Sequence, residues 1–573
     1  MKKFIIYMII LSLITGCAPH GGDPIDIDKD GQAIIRTQQP DITDTASPIE
    51  SEEPTMNINF HPHSVEGTRP SDFGIETGLQ FEGERVSEYT RSEKIFFDVG
   101  KNYTDMKGVI TFRGNNFRDT PAYGKANITE KKFDTSTWSF STGSLTKMYG
   151  NGAWTGSGWT GQPLLVEWDS ETKKIMNMKP WAKEKDGLVE AIYATLDGNI
   201  YFLDAETGEQ TRESISLGFP FKGAGALDPR GIPLMYVGAG DDSPLDGGKK
   251  ARAFIISLVD GKKLYEFGTT DEFSLRDWYA YDSSALVDAK TDTLIYPGEN
   301  GILYMMKLNT QYDKEAGTLS INPSEKLKWR YKGKKSGVDN KYWLGIEDSA
   351  IIYGEYAIFS DNGGLLMCLN INTYEVIWVQ DVLDDTNDTP ILELEDGHPY
   401  VYISTSFHGG WRAEMNGFAN IPIWKIDAET GEIVWKNTDF NCQTSDGVSG
   451  GVQGTIAVGK NKLSNLIFVP VSFNPDGYKG KLVALDKKTG KQVWSFDMAK
   501  YPWSSPVCVY DDDGNGYIIQ CNQAGNMYLL DGLTGKQLDV IDLGSNVEAS
   551  PAVFNNMVVV GTRGQKIYGI KIK

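Results

Sequence analysis

The sequence predicts an all-β fold: a single β-propeller of about eight four-stranded blades, spanning residues 136–573 and closed by an N-terminal strand. Three observations predict it. A turn motif recurs as "YFLDAETGEQ" at Thr207-Gly208, "KIDAETGEIVW" at Thr430-Gly431, "ALDKKTGKQVW" at Thr489-Gly490 and "LLDGLTGKQL" at Thr534-Gly535, with worn copies at Gly261 and Asn372-Thr373. The steps are 53 residues from Gly208 to Gly261, 59 from Gly431 to Gly490 and 45 from Gly490 to Gly535. Such a period, with short alternating strands between the turns, signals a propeller or an array. The tail "SPAVFNNMVVVGTRGQKIYGIKIK" holds three strands, while "STWSFSTG" at 136–143 has the Trp of an outgoing strand and no blade before it. Taking the missing fourth strand from there removes an exposed sheet edge.

Each letter of the repeat has a physical reason. A strand ends in Asp204, Asp427, Asp486 or Asp531, whose carboxylate can accept from the backbone donors of the next turn. Gly208, Gly431, Gly490 and Gly535 supply the positive φ of a tight hairpin. The outgoing strand then carries Trp378, Trp435 or Trp494, with Trp329 in a longer copy, a flat side chain to wedge against the next blade. No blade buries both faces alone, so stacking into a ring follows. The first seven blades are expected at 161–216, 224–268, 283–332, 347–381, 388–437, 450–497 and 505–542. Blades 1 and 3 are irregular, which leaves seven open as a count.

The chain before the ring divides in three. Residues 1–17 read as a targeting segment: Lys2 and Lys3, the apolar "FIIYMIILSLIT", then "LITGC". That ending resembles the bacterial lipobox, which would make Cys17 the lipid-bearing N-terminus and hold the protein on the outer side of a bacterial membrane. Residues 18–59, rich in Pro, Asp, Ser and Thr, read as a disordered tether. "DIDKDG" at Asp26–Gly31 copies half a calcium loop, but Thr37 stands where the closing Glu belongs. Residues 60–135 have strand and turn content without the period and are expected to pack on the propeller. Cys508 and Cys521 flank the turn "DDDGNGY", where a cross-strand disulfide and two buried thiols are both open.

Strand–"LD-x-x-TG-x-x-x-W" repeated around a ring, with "SPAV" and "SSPV" at blade starts, resembles the PQQ-type β-propeller repeat over about 136–573. Families with that repeat include quinoprotein alcohol dehydrogenases and the propeller lipoprotein of the outer-membrane protein assembly machinery. "TFRGNNFRDTP" resembles the segment leading into the first blade of such lipoproteins. The resemblance speaks for fold more than for function.

In a four-stranded blade the Thr-Gly turns lie on one face, and the second-to-third and inter-blade loops on the other. The insertions 238–252, 406–422 and 472–480 therefore rise on one side. Those loops hold Tyr149, Trp154, Trp159, Trp278, Tyr279, Trp343, Trp411 and Trp503, a candidate recognition face for sugars, peptides or flat ligands, or else a plug for the channel. Aligned blade starts put Asp282, Glu347, Glu548 and Trp503 at one equivalent position. The three carboxylates are a candidate cation site or a hydrated acidic rim.

The chain has 573 residues and net charge −21, a balance that repels phosphate backbones and argues against nucleic acid. No adjacent cysteine pair of the quinoprotein type, no C-x-x-C-H haem motif and no H-E-x-x-H or Walker pattern occurs. The expected function is a lipid-anchored, non-catalytic propeller at the cell envelope, binding a protein or glycan through its aromatic face without a cofactor. Two alternatives stand beside it: a dehydrogenase of alcohols or sugars dependent on PQQ and calcium, and a scaffold in outer-membrane protein assembly.

Overall fold

Alternating strands, each too thin to bury itself, stack radially into eight blades. The computed structural model describes residues 58–573 apart from 135, 160, 336–340, 408–417, 444–448 and 473–478. Cys17 and residues 1–57 lie outside the described residues. Blade 1 begins with Leu164–Glu167, blade 2 with Ala226–Leu227, blade 3 with Leu286–Asp288 and blade 4 with Ile351–Tyr353. Ile391–Glu395, Ala457–Val458, Val507–Tyr510 and Ala552–Phe554 begin blades 5 to 8. The count is eight. Trp138–Ser141 pairs antiparallel with Lys566–Lys571 as the fourth strand of blade 8, with Trp138 opposite Gly569, so the ring closes with the early strand as the sequence predicts.

The turn glycine and the tryptophan belong to one joint. Each outgoing-strand Trp lies over the turn glycine of the next blade: Trp138 on Gly208, Trp378 on Gly431, Trp435 on Gly490 and Trp494 on Gly535. Each indole N–H donates to a carbonyl of the same turn, of Ala205, Ala428, Lys487 and Gly532, at 2.7–3.1 Å. A Cβ at Gly490 would meet Trp435 at 2.6 Å, and its φ of +67° is one that only glycine adopts freely. The Asp carboxylates accept from the turn as the sequence predicts, Asp427 from Glu429 N and Thr430 N, for example. One joint is worn. At blade 4 Tyr374 takes the glycine's place with φ +63°, and the buried Trp329 has no partner for its N–H among the described residues.

The small residue at each blade start has its own task. Ser349 Oγ accepts from Ser284 N, Thr389 Oγ1 from Ser349 N and Thr455 Oγ1 from Thr389 N. Ser505 Oγ then accepts from Thr455 N, and Ser550 Oγ from Ser505 N. A chain of buried hydroxyls thus ties blades 3 to 8 around the axis.

The segment before the ring threads its centre. Lys107–Val109 pairs with the first strand of blade 1, and Ala122–Tyr123 runs parallel to the first strand of blade 8. Between them, Ile110 O accepts from Leu227 N of blade 2, and Asn116 exchanges two bonds with Ile352 of blade 4. Phe117 O accepts from Leu392 N of blade 5. Arg118 donates to Ala350 O and Ser284 O, and Arg113 to Ile456 O and Pro506 O. Both arginines are fully buried. A guanidinium presents five donors in a fixed fork, so it can satisfy inward-facing carbonyls from two blades at once. The channel is plugged.

The thiols of Cys508 and Cys521 are free and buried. The hairpin register puts Cys508 opposite Ile518, not Cys521. The two sulfurs therefore point to opposite faces of blade 7, one into the core shared with blade 6 and the other into that shared with blade 8. Their spacing across the turn suggested near opposition; the register corrects it.

Candidate binding funnel

On the face away from the Thr-Gly turns, the channel opens into a funnel of about 930 Å³. Phe112 of the plug lies among its lining residues and forms its floor. The residue two places before each blade-start hydroxyl faces into it: Asp282, Glu347, Asn387, Gln453, Trp503 and Glu548 from blades 3 to 8. First strands line the axis, so one repeat position becomes one ring of side chains.

Four of the expected aromatics, Trp154, Trp159, Trp278 and Trp503, are on the funnel wall. Trp159 links them, with its ring centroid 6.2 Å from Trp154 and 5.8 Å from Trp503. Neighbouring side chains of extended backbone point opposite ways; Trp278 faces the funnel, and Tyr279 turns into the hydrophobic core of blades 1 and 2. Trp343 is buried against the blade 4 hairpin at Gly363 and is not on the wall. Tyr149 stands at the rim, 53% exposed, donating to Asp242. Trp411 lies outside the described residues.

The carboxylates group differently from their sequence alignment. Asp282 and Glu347 are joined by Glu299, each offering one oxygen within 4.8 Å of the others. Glu299 sits in the "PGENG" turn of blade 3, where nothing in the repeat marks it. Glu548 is elsewhere on the wall, bonded to Asn546 Nδ2 at 2.7 Å and 3.6 Å from Arg563. Burial first, then the neighbouring Glu299 charge, pushes the Asp282 carboxyl well above its usual range. Burial and Glu347 raise Glu299 to about 7; burial and Asp385 raise Glu347 likewise. Arg276 and Asn362 buttress the trio: Arg276 Nη1 donates to Glu299 O and Asn362 Oδ1, and Asn362 Nδ2 to Glu347 and Asp385.

Lys222 completes the site, and its place in an inter-blade link gave no sequence signal. Its ammonium lies 4.5 Å from the ring centroid of Trp159, 5.5 Å from Trp154 and 5.7 Å from Trp278. Burial works against its charge, but Asp282 and Glu299 outweigh burial and hold it above the ordinary lysine range. Aromatic faces and carboxylates both favour a cation here.

Comparison with known proteins accords with this geometry at the level of fold. Residues 478–573 match the family described as outer membrane protein assembly factor BamB. That is the C-terminal part of the ring only. No curated protein matches the sequence. Among solved structures, a quinohemoprotein alcohol dehydrogenase from Comamonas testosteroni is similar, with TM-score 0.51 and 13% identity over 82% of this chain and 81% of that one. BamB from Moraxella catarrhalis aligns with TM-score 0.44 and 14% identity over 71% of this chain and 98% of its own. The eight-bladed propeller of PQQ-type repeats read from the sequence is the fold of this protein.

Proposed function

We propose that this protein is an extracytoplasmic, lipid-anchored binding propeller that takes a sugar or peptide group of an envelope partner into its blind funnel. The observation that carries the reading is convergence: four tryptophans from three inter-blade links and one polar residue from each of five blades meet above a closed floor. An aromatic wall beside carboxylates and amides suits sugar rings, which stack on a single ring face and present hydroxyls to the polar groups. The partial match to an outer membrane assembly factor makes a protein partner at that membrane one form of the same reading.

A second reading, a calcium- and quinone-dependent dehydrogenase, draws on the acidic trio. Asp282 Oδ1 and Glu299 Oε1 are buried without hydrogen-bond partners among the described residues, and hard cations take such oxygens. The quinone fits less well. The neighbouring wall tryptophans offer no parallel pair to sandwich a flat cofactor: Trp154 and Trp159 stand at 74° and Trp159 and Trp503 at 60°. We therefore assign no redox step to the funnel.

Titration with soluble cell-wall fragments, which carry both sugars and peptide, tests the proposal through tryptophan fluorescence and calorimetry. Saturable binding that Trp503→Ala and Trp278→Ala each weaken at least about tenfold is expected (about 1.4 kcal/mol). No binding, together with dye reduction on adding PQQ, calcium and an alcohol, would transfer the assignment to the second reading.

A further inference from the structure

A second large hollow, about 840 Å³, lies on the outside of the ring, away from the funnel. Its walls come from the segment ahead of the plug. Glu76–Phe81 pairs with the outer strand of blade 3, and Glu84–Val86 pairs onto that in turn, making a six-stranded sheet. The chain then crosses to blade 4, where Ile95 exchanges two hydrogen bonds with Asn372 of the worn turn. The groove runs between that added edge and the turn where Tyr374 replaces the usual glycine.

In a chain of net charge −21, this groove gathers cations. Arg85, Arg91, Lys94, Arg330 and Lys332 line it. Lys332 is held by Glu76 at 2.8 Å. Arg91 is not matched in that way. Its side chain is 2% exposed, and its nearest carboxylate, Glu325, stands 3.8 Å away and already accepts from Tyr89 Oη at 2.9 Å. Nε and Nη2 of Arg91 are buried with no hydrogen-bond partner of good geometry among the described residues, the buried Tyr374 hydroxyl lying nearby. A buried guanidinium with unmet donors is costly unless a ligand completes it. Nearby, burial and then the like charge of Arg85 press on Arg330 and lower its proton affinity. Neither Arg85 nor Arg330 has an ion pair among the described residues. Glu88 and Glu355 also line the groove; Glu355 is engaged by Asn372 Nδ2 at 3.0 Å.

We propose that this groove is an oxyanion site for a phosphate group, received by Arg91 from within and by Arg85 and Arg330 from the rim. Arginine forks match phosphate oxygens two at a time. The proposal goes beyond the funnel's function and stands apart from it, since the two sites share no residue. Calorimetry of the full chain with inorganic phosphate and with sn-glycerol 3-phosphate, acetate serving as the carboxylate control, tests it. One saturable site for a phosphate is expected, weakened at least about tenfold by Arg91→Gln and by Arg85→Gln. Arg85 is on the exposed edge strand, so its variant reports binding even where Arg91→Gln weakens the fold. Tighter binding of the glycerol ester supports the site and points to a phospholipid headgroup as the source; tighter inorganic phosphate supports it with free phosphate as the source. No saturable binding of either, or binding indifferent to both substitutions, overturns the proposal.

Discussion

Arg118→Ala is expected to lower the free energy of unfolding by about 3–5 kcal/mol. Arg118 donates from Nε to Ala350 O at 3.0 Å, from Nη1 to Thr111 Oγ1 at 2.8 Å and Phe112 O at 3.1 Å, and from Nη2 to Ser284 O at 2.9 Å. Burial brings its pKa down to about 10, so it is still charged at neutral pH. Removing it strips donors from buried carbonyls of blades 3 and 4 and leaves a void at the hub. Lysine is a poor substitute, because one ammonium cannot span carbonyls on two blades. Urea unfolding followed by tryptophan fluorescence measures the loss. A change below about 1 kcal/mol would mean that the plug is packed on the ring and does not tie it.

The second large effect is on pH. Stability is expected to fall as pH rises from 5 to 8, and Glu299→Gln to flatten that fall. Glu299, raised from 4.5 to about 7 by burial and Glu347, keeps its proton in the folded state where the unfolded chain has released it. Its favourable contribution is complete below about pH 4.5 and is lost as pH passes 7, by about 3 kcal/mol in all. Asp348 and Asp361, each raised to about 7 with burial as the first cause, act in the same direction. Carboxylates held low by partners, such as Asp169, change only in acid and leave this window untouched. Thermal melts at pH 5 and 8 check it; a profile that is flat or rises toward pH 8 would contradict the protonated funnel.

Much of this protein was legible because its fold is periodic. The Asp–Thr-Gly–Trp letters announce a joint made between one blade and the next, and "STWSFSTG" declared itself by carrying half of a joint with no blade of its own. The blade-start position gave Asp282, Glu347, Trp503 and Glu548 together. What escaped has no period. Arg113 and Arg118 satisfy backbone carbonyls of blades far along the chain, and no side-chain pattern records a carbonyl acceptor. Glu299 comes from an ordinary hairpin turn and Lys222 from a link between blades. Tyr279 and Trp343 belonged to aromatic loops by composition but to the interior by packing, a difference set by which way each side chain points. The groove at Arg91 was hidden for a further reason: it forms where the repeat has decayed, at Tyr374, and where a non-repeating strand patches the outer edge.

The central claim is that the funnel side, and not the Thr-Gly side, meets the partner. A photo-cross-linking residue at Gln523, on the funnel wall, compared with one at Lys536, exposed on a Thr-Gly turn, tests it in intact cells. Discrete adducts from position 523 and none from 536 are predicted. Adducts from 536 with none from 523 would place the working surface on the opposite face and end this account of the funnel.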